Sequence, residues 1–169
     1  QEGRKLFDEL LATRQRSVTL LLSLSQTLRL VGEFQQARDL TEEAYGKTTD
    51  PKQKFLAASL RAHVQKDLDD EIAWLEKCNP EDHFTQVELN NSRGQRVLQK
   101  GDRAGAMAYF RKAIAGYDGL PRSSATLNNQ GLACLNLYEV SGDLNDHTRG
   151  LKFLEDAIAL DPGNSILLH

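Results

Sequence analysis

The chain has 169 residues, of which 40% are hydrophobic, 27% charged and 7% aromatic, with a formal net charge of −3. That balance fits a single soluble folded domain and excludes a disordered chain. The acidic net charge and the lack of any Lys/Arg-rich block argue against nucleic acid, and the longest near-apolar run, residues 18–24, is far too short to cross a bilayer.

In chain order, helices are expected over residues 2–14, 17–31, 34–47, 52–65, 68–78, 82–99, 103–118, 123–141 and 148–160. Leu and Ala dominate the apolar set, whereas Val, Ile and Thr are sparse, so no sheet is expected. Pro51, Pro80, Pro121 and Pro162 each follow one helix-like run and precede another. Proline stops the first helix and suits the opening turn of the next, where its missing N–H is not needed. Between the prolines fall Gly32-Glu33, Lys66-Asp67, Gly101-Asp102 and Gly142-Asp143. Three of these breaks supply the glycine wanted just past a helix C-terminus.

The punctuation repeats with a period. The second helix of each unit carries a small residue, a bulky one four later and a third residue three beyond that. These are Gly3/Phe7/Leu10, Ala37/Thr41/Ala44, Glu71/Leu75/Cys78, Ala106/Phe110/Ala113 and Gly150/Leu154/Ala157. The first members lie 34, 34, 35 and 44 residues apart. In the first helices a small residue stands twelve earlier: Ser25, Ser59 and Gly94, with Gly131 displaced by extra residues. Spacings of four and seven align each set on one helical face, where small residues let two helices approach closely. Glu71 breaks the pattern. The ten extra residues of the last unit are placed before Leu127, around 135–140 and within 145–149.

A period near 34 in helix–turn–helix form resembles the tetratricopeptide repeat, most closely in GDRAGAMAYFRKAI (101–114) and LKFLEDAIALDP (151–162). The resemblance implies an all-α, right-handed superhelical α-solenoid of antiparallel helix pairs. It divides the chain into a partial repeat 1–16, repeats 17–51, 52–81, 82–121 and 122–162, and a partial repeat 163–169. Partial units at both ends, and a start at Gln1 rather than Met, lead to the expectation of a fragment from a longer array. First helices of such arrays line a concave groove that binds a protein or peptide. Carried over position by position, the groove residues are Gln26, Arg29, His63, Glu88, Asn91, Gln95, Asn128, Leu132 and Asn136, beside the apolar Leu22, Leu30, Leu56, Leu60, Val64 and Leu135. The pairs Asn90-Asn91 and Asn128-Asn129, each after a Leu, resemble the Leu-Asn-Asn motif of repeats that hold extended peptides. Such amides can clamp a peptide backbone, or they can cap and cross-link neighbouring helices. The Lys/Asn/Arg clamp for a C-terminal carboxylate is not matched, since Leu22 and Gln26 occupy its positions in the first full unit.

Catalytic constellations are absent from the sequence: no HExxH, GxSxG, Walker-type or GxGxxG pattern occurs. Asp69-Asp70-Glu71 and Glu42-Glu43 read as solvated helix faces. Cys78 and Cys134 have neither CxxC spacing nor a His at metal-site spacing, and read as small buried thiols that suit a reducing, cytoplasmic compartment. The expectation is therefore a protein–protein interaction module without enzyme activity, cofactor, metal, nucleic acid or membrane. The competing readings are a scaffold that self-associates through terminal helices, and a regulatory sensor attached to a catalytic or DNA-binding domain.

Overall fold

The computed structural model describes residues 9, 10, 12 and 16–162, which hold eight α-helices and no strand. They are α1 (Val18–Leu30), α2 (Phe34–Lys47), α3 (Pro51–Ala62), α4 (Leu68–Leu75), α5 (His83–Gln99), α6 (Arg103–Asp118), α7 (Ser124–Ser141) and α8 (Leu144–Leu160). The chain forms two compact units, Gln1–Asn79 and Pro80–His169. In each, consecutive helices pack against one another. The anchors Gly3 and Phe7, and the helix start expected at 164–168, lie outside the described residues.

Local chemistry starts and stops these helices. Ser17, Asp50, Asp67, Asp82, Asp102, Ser123 and Asp143 each accept a hydrogen bond from a first-turn amide, and Pro51 opens α3. Gly32, Gly101 and Gly142 take φ of 81°, 85° and 73° just past α1, α5 and α7, a conformation that penalises any side chain. Three boundaries differ from expectation. Helix α3 ends at Ala62, and Arg38 Nη1 on α2 donates to the carbonyl of Val64 beyond it, at 3.0 Å. Helix α4 ends at Leu75, after which Lys77 and Cys78 bond back three residues in a tighter turn. Helix α8 starts at Leu144, because Asp143 caps it immediately after the left-handed Gly142. Residues 145–149 are thus its first turn and carry no loop insertion.

In the second unit the small-residue seams form as the spacing requires. Gly94 faces the Phe110 ring so closely that an added Cβ would lie 2.6 Å from it. At Gly131 an added Cβ would lie 2.9 Å from the carbonyl oxygen of Gly150, and at Gly150 it would lie 3.0 Å from that of Gly131. Helix α5 meets α6 through Gly94–Phe110 and Val87–Gly116, so the two run antiparallel. Helix α7 also runs antiparallel to α6, since Gln130 bonds Asp118 while Arg103 bonds the carbonyls of Glu139 and Val140. Helices α5 and α7 are therefore parallel. The core between them contains Phe110, Ala113, Tyr117, Cys134 and Leu137.

In the first unit Ser25 and Ala37 pack as expected, but the next seam does not. Ser59 and Glu71 are only half-buried. The buried residue there is Arg61, 1% exposed, which bonds Glu42 at 2.7 Å and Asp70 at 2.7 and 3.0 Å. Its guanidinium lies 5.2 Å from the Trp74 ring centre. Glu42 and Asp70 are thus the counter-charges of a buried arginine, which corrects their reading as solvated helix-face residues. A carboxylate within reach of a desolvated cation is held there because leaving the cation unpaired is costly.

Candidate functional site

Of the expected groove residues of the first unit, Gln26 and His63 are exposed and Arg29 is half-buried. Gln26 and Arg29 line a crevice with Ser25, Ala37, Thr41, Leu60 and Val64 that has no room for a water molecule. Leu22 and Val64 are buried in the core, so the apolar character expected for this stretch is spent largely on packing, with Leu30 and Leu56 left exposed. His63 stands exposed at the C-cap of α3, where its Nδ1 donates to the Ser59 carbonyl at 2.8 Å.

The second unit is different. Glu88, Asn91 and Gln95 lie on α5 at spacings of three and four, and Asn128, Leu132 and Asn136 lie on α7 at spacings of four. Each set therefore shares one helical side. The two sides meet where Asn136 Nδ2 donates to Asn91 Oδ1 at 3.3 Å. Neither Asn91 Nδ2 nor Asn136 Oδ1 is hydrogen-bonded among the described residues. The pair thus presents one spare donor beside one spare acceptor. Leu132 is 46% exposed on the same side of α7, and Asn128 bonds its neighbour Asn129 at 3.4 Å.

Behind this face the helices are braced. Asn129 hydrogen-bonds the Tyr117 hydroxyl, with Glu88 nearby. Burial, and then the Glu88 charge, push that hydroxyl far above the usual phenol range, against the opposing bond from Asn129. The Leu-Asn-Asn motif of α7 thus splits its work. Asn129 holds α6, while Asn128 stays on the side shared with Leu132. In α5, Asn90 bonds the Gln86 carbonyl one turn back, and Asn91 faces Asn136.

Sequence reasoning missed two features. One is the Arg61 network; its signal was an arginine at i+3 and i+4 from Ala58 and Ala57, on the apolar side of α3. The other is a cleft of about 410 Å³ lined by Arg111, Asp118, Asp143, Asp146 and Arg149 over Ile114 and Leu137. Its carboxylates are already engaged. Asp118 accepts from Gln130, Asp143 caps α8, and Asp146 accepts from Ser141. Among the described residues no three His, Cys, Asp or Glu side chains form a group able to hold a metal, and no helix is long and apolar enough to cross a membrane. A scan against protein-family models finds no match, and a search of curated proteins finds no similar sequence.

Proposed function

We propose that the chain is a tetratricopeptide-type helical array that binds an extended segment of another protein, and that the α5/α7 face of the second unit is where it does so. The observation that carries this reading is the Asn91–Asn136 pair. A peptide group needs one acceptor for its N–H and one donor for its C=O, and Asn136 Oδ1 and Asn91 Nδ2 offer that combination side by side. The amides are positioned in advance by their mutual bond and by the glycine seams behind them, so little ordering cost falls on binding. Leu132 offers an apolar contact next to them. The groove reading carries with it a binding module rather than an enzyme, and a cytoplasmic setting.

The test is a phage-displayed library of unstructured peptides selected on the chain, followed by N91A, N136A and the double variant. About tenfold weaker binding with little change in stability is expected, as for the loss of one or two exposed hydrogen bonds. Unchanged affinity with a large loss of stability would reduce the pair to a helix brace.

A second reading, self-association, is favoured by one observation. Leu144, Leu151 and Ile158 recur every seven residues along α8 and are 68%, 44% and 38% exposed. Mass that rises with concentration in light scattering, and is abolished by L151E, would support it.

A further inference from the structure

Separately from the α5/α7 face, we infer that Tyr45 and Trp74 of the first unit form a binding site for a methylated ammonium group, and that Lys77 occupies it in the absence of that ligand. Tyr45 on α2 and Trp74 on α4 stand edge to face, with ring centres 5.3 Å apart and planes at 89°. Two rings at a right angle make two walls of a corner. The face of an aromatic ring is negative, so it attracts a cation without any carboxylate. The corner already holds one. Lys77 Nζ lies 3.5 Å from the Trp74 ring centre and 5.8 Å from that of Tyr45. Its ammonium makes no hydrogen bond or ion pair among the described residues. A lysine ammonium is compact and strongly hydrated, so its place in contact with a ring marks the corner as a cation site.

The ligand class follows from what Lys77 leaves unfilled. At 3.5 Å the ammonium touches the indole, but at 5.8 Å it falls short of contact with Tyr45. Methyl groups on the nitrogen widen it enough to reach both rings at about 3.5–4.0 Å between carbon atoms. They also weaken its hydration while keeping its charge, so less is lost on leaving water. The ligand must replace Lys77 rather than join it. Arg61 lies 5.2 Å from the Trp74 ring centre, and Lys54 Nζ lies 5.3 Å from that of Tyr45. A ligand cation added to these and to Lys77 would meet repulsion. Exchange is open to Lys77, because it is exposed, follows the end of α4 and is held there through its backbone N–H, which donates to the Trp74 carbonyl at 3.1 Å. Trp74 is 9% exposed with Lys77 in place, so an outward swing of that side chain bares the indole face for the ligand.

Trp74 is the sole tryptophan, so its fluorescence reads the site directly. Wild type, K77A and Y45L, each first shown to be folded by circular dichroism, are titrated at constant ionic strength with Nα-acetyl-trimethyllysine amide, Nα-acetyl-lysine amide, choline and 3,3-dimethylbutanol, the uncharged isostere of choline. The trimethyllysine amide should bind about tenfold tighter than the lysine amide, and choline about tenfold tighter than dimethylbutanol. K77A should bind both methylated ammoniums about threefold tighter than wild type, because the internal competitor is gone, and Y45L should weaken both about fivefold. K77A, a change at an exposed position, and the isostere comparison decide the matter even if Y45L is unfolded. The tighter of trimethyllysine amide and choline identifies a modified side chain or a free ammonium compound as the source, and either result supports the site. Equal binding of dimethylbutanol and choline would overturn it in favour of a plain apolar contact. If K77A binds none of the ligands and only opens Trp74 to acrylamide quenching, Lys77 is a cover for the indole and the inference falls.

Discussion

Arg61 sets up an ordering of stabilities that runs against intuition. Its side chain is 1% exposed, whereas Asp70 is 20% and Glu42 48% exposed. Replacing Asp70 by Ala leaves a desolvated guanidinium with only Glu42, and also removes the acceptor for the Lys66 amide at 3.0 Å. Breaking a buried pair in this way costs about 3–5 kcal/mol; the partial exposure of Asp70 and the surviving Glu42 bond reduce this to about 2–3 kcal/mol. Arg61→Met instead removes the buried charge and keeps an unbranched side chain against Trp74. The two carboxylates then turn to solvent, and the cost is about 0–1 kcal/mol. D70A should therefore be less stable than R61M, and adding R61M to D70A should recover stability. Trp74 is the sole tryptophan and packs beside Arg61, so urea unfolding followed by its fluorescence reports on this site. An R61M chain that unfolds at lower urea than D70A would refute the desolvation reasoning and make the ion pair itself the stabilising element.

The same network predicts an acid limb. Burial works to raise the Asp70 carboxyl, but the Arg61 bond, the Lys66 amide and the attraction of both cations outweigh it and hold the group below its ordinary value of 3.8. A depressed carboxyl contributes stability above its unfolded pKa and loses it as pH falls through the folded one. Wild type should thus lose Trp74-reported stability below about pH 4, and D70N should show a flatter limb in a urea series from pH 6 to 2. Gly131→Ala should cost about 1–3 kcal/mol, because its Cβ meets backbone at Gly150 that has no room to yield, whereas Gly46→Ala, with nothing within 4 Å, should gain about 0.5–1 kcal/mol; thermal melts of both variants check the contrast. Burial pushes the Cys134 thiol up to about 11, with Arg149 opposing and Asp146 and Asp118 adding to it. Alkylation mapped by mass spectrometry at pH 8 should leave it unlabelled until urea unfolds the chain, and rapid labelling of the native protein would contradict the packing.

What was legible in the sequence is what local physics decides. A glycine beyond a helix, an aspartate before one and a proline in a first turn act within a few residues, so the breaks at Gly32, Gly101 and Gly142 fell where expected. The seams Gly94–Phe110 and Gly131–Gly150 were legible because close helix approach demands small residues at fixed spacing. Arg61 was not legible, because its burial depends on Glu42 and Asp70 arriving from two other helices. The start of α8 was misplaced because polar residues 145–149 look like a loop until the Asp143 cap commits them to a helix. At the candidate site the residues of α5 and α7 were foreseeable as faces, but which asparagine braces and which stays available was not. Asn129 and Asn128 differ by one position, and only the location of Tyr117 separates their roles.

That division bears on where binding can reside. In the first unit, two of the positions that would line a groove, Leu22 and Val64, are buried in the core, and the crevice beside Gln26 and Arg29 is too narrow for water, while Gln26, Leu30, Leu56 and His63 are exposed. There Glu71 replaces the small residue expected at the seam, and a buried arginine takes over its task. In the second unit the contact between paired helices is made by glycines, which fill no space on the opposite side of α5 and α7. Asn91 and Asn136 there are half-buried and keep one spare donor and one spare acceptor beside their mutual bond. Introducing bulk at Gly131 should consequently do more than destabilise. By shifting α7 relative to α8 it should also displace Asn136 from Asn91, so G131A should weaken peptide binding in step with the loss of the Asn136–Asn91 bond. A G131A chain that is destabilised yet binds peptide with undiminished affinity would disconnect the seam from the site.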